Sequence, residues 1–124
     1  MQSKKKKRSK YGNKKVSYQG RTFDSIIERD RYIFLQDAQR RGEIQNLRCQ
    51  VSFDIDVNGE HCCKYVADFV YTKEYRRPLG GHVQESVVED VKGMATAMFK
   101  LKAKLMRAVH GIDVRVVKSP TAVI

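Results

Sequence analysis

No stretch of this 124-residue chain stays apolar for the roughly 18–20 residues that a bilayer-spanning helix requires, which excludes a transmembrane helical protein. The basic start runs into Tyr11-Gly12-Asn13-Lys14-Lys15 rather than an apolar segment, so no secretory leader is expected. Cysteine is scarce. Cys49, Cys62 and Cys63 are an odd count without CxxC spacing, which argues against a secreted disulfide scaffold and for a reducing compartment. Glycine is too sparse for a collagen-like repeat, heptad periodicity is missing, and 41% apolar residues are too many for a wholly disordered chain. Acid is absent where base is densest. The first fifteen residues hold Lys4, Lys5, Lys6, Lys7, Arg8, Lys10, Lys14 and Lys15 and no carboxylate. These are eight of the 25 basic residues, so the rest of the chain is nearly balanced, 17 bases against 14 acids. A balanced domain with a basic arm points to a polyanionic partner, nucleic acid first.

Patterning divides the chain into an arm at 1–15, one domain at 16–118 and a tail at 119–124. Val16–Phe23 alternates weakly, with Gly20 in its turn. Ser25 with Glu28 three residues on is a helix start signal; Ile27, Phe34, Leu35 and Ala38 follow at helical spacing, and Gly42 ends the run, giving a helix at 25–41. Val51, Phe53, Ile55 and Val57 alternate with polar residues as a half-buried strand, and Asn58-Gly59 predicts a hairpin to a second strand at 61–71. Pro78, Gly80 and Gly81 mark a turn before a third strand at 84–92. A second helix at 95–110 carries a stripe of Met94, Met98, Leu101, Leu105 and Val109, capped by Gly111. A last strand at 112–117 completes an αβββαβ order: a mixed α/β domain with a mixed sheet.

Two neighbouring strands carry the chemistry. Period-two alternation puts Val66, Asp68 and Val70 on one face, and Val88, Asp90 and Lys92 on one face of the next strand. A carboxylate in an apolar strand is costly unless it is paired or bound to metal. If the strands pair, Asp68, Asp90 and Lys92 converge, and two carboxylates beside a lysine suit a hard ion such as Mg²⁺ acting on a phosphodiester. An Asp–Lys ion pair near a sheet end is the alternative. Glu89 alternates to the other face. Glu28 is either the closing residue of a capping box on Ser25 or, with Asp24 as N-cap, free to face the strands.

Other clusters carry less. Asp54-Ile55-Asp56-Val57-Asn58-Gly59 resembles the start of a calcium loop, but Tyr65 stands where the closing glutamate belongs, so these acids read as the solvent face of a strand. His61 and the cysteines lack zinc-ligand spacing, and the cysteines read as small buried hydrophobes. Thr96, Lys100, Lys104 and Arg107 lie opposite the apolar stripe of the second helix, either as a solvated face or as phosphate contacts.

In this order the pieces resemble the PD-(D/E)XK nucleases: Asp68 matches the lone aspartate and Asp90-Val91-Lys92 the (D/E)-x-K element. The chain looks especially like small phage and prophage endonuclease-like proteins of that superfamily. Tyr11-Gly12-Asn13-Lys14-Lys15, Phe23-Asp24-Ser25 with Glu28, Ala67-Asp68-Phe69-Val70-Tyr71 and Val88-Glu89-Asp90-Val91-Lys92-Gly93 carry the likeness over about residues 10–117. Ala67 stands where the superfamily's proline would be. The resemblance implies an Mg²⁺- or Mn²⁺-dependent endodeoxyribonuclease. Asp68, Asp90 and the Val91 carbonyl would hold the metal, Glu28 would be an outer or additional ligand, and Lys92 would position the attacking water. Gln50 is a candidate polar neighbour. The implied substrate is DNA, branched (Holliday junctions included) or duplex, cut by a possible homodimer in the cytoplasm of a bacterial host. A non-catalytic nucleic-acid-binding protein is the alternative.

Overall fold

Asn58 and Gly59 have φ of 52° and 79°, the two left-handed residues that a two-residue hairpin turn demands, and Val57 pairs with Glu60 across them. Gln19 and Gly20 repeat the device at φ 51° and 76°. A computed structural model describes residues 14–124. Lys14 and Lys15 are exposed, whereas Lys4, Lys5, Lys6, Lys7, Arg8 and Lys10 lie outside the described residues.

The elements are β1 (Val16–Tyr18), β2 (Arg21–Phe23), α1 (Ile26–Arg40), β3 (Ile44–Val57), β4 (Glu60–Arg76), β5 (His82–Val91), α2 (Ala97–His110) and β6 (Arg115–Val117). After the small β1–β2 hairpin, the order is αβββαβ. The main sheet runs β3-β4-β5-β6, antiparallel through β5 and parallel between β5 and β6, with α2 as the crossover. The fold is thus a mixed α/β domain with a mixed four-stranded sheet. Among the described residues no helix is long and apolar enough to cross a membrane.

Each helix covers its own core. Tyr32, Leu35 and Ala38 of α1 pack with Phe23, Ile44, Phe69 and Tyr71. Phe99 and Met106 of α2 pack with Ile55, Tyr65, Ala67, Val70 and Val88. The periodicity of α2 is therefore turned relative to expectation. Met94, Met98, Leu101 and Val109 are exposed, and the helix buries Phe99 and Met106 instead. On α1, Ile27 is likewise exposed, and the buried face includes Glu28 and Arg31.

β3 begins seven residues earlier than the alternation at Val51 predicts, because Asn46 and Gln50, at φ 56° and 53°, interrupt the pleat. Residues 119–124 are not a loose tail: fully buried Arg31 donates to the carbonyls of Pro120 (3.1 Å) and Ala122 (2.6 Å), and Lys73 Nζ to that of Ile124 (2.9 Å). The cysteines are free thiols, as expected, but none is fully buried: Cys49 and Cys63 are half-buried and Cys62 is exposed.

Candidate active site where β4 and β5 part

β4 and β5 pair from Arg76↔His82 to Phe69↔Glu89, a register that sets Asp68 opposite Asp90 one step beyond the last pair. The end of β5 then stays with β6 through Val91↔Val117 and leaves β4. The two aspartates thus stand where a sheet opens. Strict alternation does not run through Asp68. Ala67 and Val70, three residues apart, share one core, and Val66 is exposed, so Val66, Asp68 and Val70 do not form one common face. The break lies opposite Gln50, for Cys49↔Phe69 and Val51↔Ala67 pair on either side of it.

That irregularity assembles the site. Gln50 Nε2 donates to Glu28 Oε1 at 3.0 Å and to Asp68 Oδ1 at 3.3 Å, joining α1 to β4 through β3. Asp68 Oδ2 accepts the Val91 N–H at 2.9 Å, which fixes it against the residue between Asp90 and Lys92. Glu28 does both things the sequence left open. Its N–H donates to the N-cap Ser25 hydroxyl at 3.1 Å, while its carboxylate turns to Gln50 and to the Asp24 N–H at 3.3 Å. A cavity of about 300 Å³ is lined by Glu28, Asp68, Val91 and Lys92, with Asp24 and Ile27 alongside.

Asp90 is 1% exposed, and among the described residues neither of its oxygens has a hydrogen-bond partner. Lys92 Nζ lies 3.7 Å from Oδ1 and 5.0 Å from the Phe99 ring centre. Burial drives the Asp90 carboxyl up to about 6, with the Lys92 charge and the nearby Asp68 amide pulling against it. Glu28 is pushed up to about 7, first by burial and then by the Asp68 charge. Burial also raises Asp68, opposed by the Val91 N–H and Lys92. In all three carboxyls burial is the first cause of the rise, so the site holds its acids where the charged form is poorly solvated.

The structure therefore brings Glu28, Asp68, Asp90, Val91 and Lys92 together. Lys104 and Arg107 instead line a separate depression, where Arg107 pairs with Asp113 at 2.5 Å, and Lys100 is exposed. Glu89, beside Asp90 in sequence, faces the other core. It is held by Arg31 through two 2.8 Å bonds and by the Tyr71 hydroxyl at 2.5 Å, a fully buried structural network. Sequence reasoning undervalued Gln50, whose one signal is its place just before the alternation starts. It passed over Lys64 and Lys102, which flank the far side of Asp90.

Among the described residues no group of three or more His, Cys, Asp or Glu side chains is placed to hold a metal ion. Mg²⁺ asks for less, since it keeps several waters and binds through one or two carboxylates plus substrate phosphate. Two hard carboxylates, one with both oxygens unpartnered in a buried place, fit that requirement.

The chain belongs to the family described as a protein of unknown function, DUF1064, which matches residues 8–121. No curated protein and no solved structure matches it.

Proposed function

We propose that this protein is a divalent-metal-dependent DNA endonuclease of PD-(D/E)XK type. The observation that supports this most is Asp90: a buried carboxylate with no hydrogen bond among the described residues, opposite Asp68 and beside Lys92 at the mouth of a parted sheet. A fold keeps a buried carboxylate so thinly compensated, with one lysine at 3.7 Å, where function requires it. Asp68, Asp90 and the Val91 carbonyl would hold Mg²⁺ or Mn²⁺, with Glu28 adjoining. When bound, the ion supplies Lewis acidity and charge neutralisation for phosphodiester hydrolysis.

The chain's own residues do the rest. Gln50 and the Val91 N–H fix the Asp68 carboxylate before substrate arrives. Lys92 holds the attacking water and offsets negative charge that develops on the phosphate. Water attacks in line with the departing 3′-oxygen, leaving a 5′-phosphate. Lys14 and Lys15, with the arm before them, supply affinity for the backbone without reading sequence. Branched DNA, Holliday junctions included, is the substrate we favour, processed in a bacterial cytoplasm by a homodimer acting on paired strands.

The 3.7 Å Asp90–Lys92 separation also suits a non-catalytic DNA-binding protein in which the two are an ion pair. One experiment separates the readings. Labelled four-way junction, fork, duplex and single strand are incubated with wild type, Asp90→Ala and Lys92→Ala in EDTA, Mg²⁺ or Mn²⁺. Metal-dependent cutting lost in both variants supports the nuclease; binding without cutting under every metal leaves only the binding protein.

A further inference from the structure

A second cavity, of about 280 Å³, lies on the other side of Asp90 and Lys92, beside the part of β4 that β5 has left. Lys64, Tyr65, Asp90, Lys92, Thr96 and Lys102 line it. Its charge balance is the reverse of the first cavity: three lysines face one carboxylate. Lys64 and Lys102 make no ion pair within 4 Å among the described residues, and the carboxylate opposite Lys64 in the β3–β4 register is Asp54.

Two further features point to an anion. Thr96 is the N-cap of the 14-residue α2, whose first turn holds no acid. The Thr96 hydroxyl takes the Phe99 N–H, and helix geometry leaves the amides of Ala97 and Met98 without an intrahelical acceptor. An N-terminus in that state attracts negative charge. Independently, Tyr65 is 3% exposed, and its buried hydroxyl has no hydrogen-bond partner among the described residues. A buried O–H without an acceptor is costly, and a phosphate oxygen would satisfy it.

We propose that this cavity is a second phosphate subsite, which takes a backbone phosphodiester flanking the scissile one. Lys64 and Lys102 supply charge, the start of α2 supplies N–H donors, and the Tyr65 hydroxyl supplies a directed hydrogen bond. The assignment of the neighbouring phosphate as scissile rests on the nuclease reading; recognition of the backbone at this cavity does not. Lys92 and Thr96 line both cavities, so a strand seated in both places its scissile bond beside Asp68.

The test uses the full chain. Duplex binding is measured against salt in EDTA for wild type, Lys64→Ala/Lys102→Ala and Tyr65→Phe. Losing two phosphate contacts should flatten the log–log salt slope of the double variant by about 2. Tyr65→Phe should weaken binding about threefold to tenfold while melting no lower than wild type, since it removes a hydroxyl the free protein leaves unsatisfied. Cleavage in Mg²⁺ of a strand with one flanking phosphate replaced by neutral methylphosphonate should be slowed for wild type and unaffected further in the double variant.

Equal salt slopes, with methylphosphonate penalties alike in wild type and variant, would overturn the subsite and leave the nuclease standing. A flattened slope without any metal-dependent cutting would support the subsite and count against the nuclease. Inorganic phosphate alone is the last arm. A thermal shift that the double variant loses, with its DNA slope unchanged, would assign the cavity to a small phosphate ligand and overturn the proposal.

Discussion

The Asp68 carboxylate accepts the Val91 N–H at 2.9 Å, so the acid of β4 is fastened to the residue that separates Asp90 from Lys92 on β5. This bond stands where the β-ladder between the two strands has ended, a side chain taking over from a backbone carbonyl. It brings two carboxylates together that would otherwise repel, and burial charges the fold for that arrangement. Asp90→Asn should therefore do two opposite things. Cleavage should fall by several orders of magnitude, while the melting temperature in EDTA should rise, because the buried charge without a hydrogen bond is gone. Duplex binding should stay within a few-fold of wild type. Parallel melts and single-turnover assays check this; a variant less stable than wild type would make Asp90 a structural residue.

The raised carboxyls give the metal-free protein an inverted pH dependence. Glu28 lies near 7 against an ordinary 4.5, and Asp90 near 6 against 3.8. Between the ordinary and the raised values the folded state binds more protons than the unfolded chain, so stability falls as pH rises. The destabilisation is absent below both ordinary values and complete above about 7. Melts in EDTA should drop from pH 5 to pH 8. Saturating Mg²⁺ should flatten or reverse the trend, because a cation stabilises the ionised carboxylates that the free protein disfavours. A melting temperature that climbs with pH in EDTA would show that these groups are not strained.

The element order and both helices were legible because they rest on local signals: Ser25 at a helix start, Gly111 at a helix end, Asn58-Gly59 in a hairpin. Asp68, Asp90, Lys92 and Glu28 were legible as acids and a base placed against the apolar grain of their elements. What periodicity missed is physical. On α1, Glu28 and Arg31 occupy the buried face, so hydropathy points to Ile27, which is exposed. On α2, Phe99 and Met106 anchor the helix, and the Met98–Leu101–Val109 stripe that alternation favours stays in solvent. The parity break at Asp68 has no sequence signature, since Gln50 is an unremarkable residue in a left-handed conformation that a glycine would ordinarily announce.

Gln50 offers a test of that conformation. At φ 53° a residue with a β-carbon is strained, and the fold tolerates it while the side chain bridges Glu28 and Asp68. Gln50→Gly keeps the backbone, relieves the strain and removes the bridge. The variant should melt within a few degrees of wild type yet cut about tenfold more slowly, a cost comparable to losing one orienting contact beside a metal ligand. Gln50→Asn, which tolerates the left-handed region but carries a shorter amide, should fall between. Equal cutting by wild type and Gln50→Gly would reduce Gln50 to a spacer.

Glu89 and Asp90 are neighbours with opposite duties, and substitution separates them. Glu89 closes a buried bidentate pair with Arg31, and Arg31 in turn holds the Pro120 and Ala122 carbonyls. Glu89→Gln leaves the guanidinium without a counter-charge in a place water does not reach, which should cost about 3–5 kcal/mol. Urea unfolding should show that loss with an unchanged m-value. The folded fraction should cut DNA at the wild-type rate, because Glu89 lies on the far side of the sheet from Asp90 and Lys92. An Arg31→Met/Glu89→Met double variant, apolar on both sides, should recover much of the stability that either single change removes. If Glu89→Gln instead lost cleavage at full stability, Glu89 would belong to the site, and the division of β5 into a structural face and a chemical face would fail.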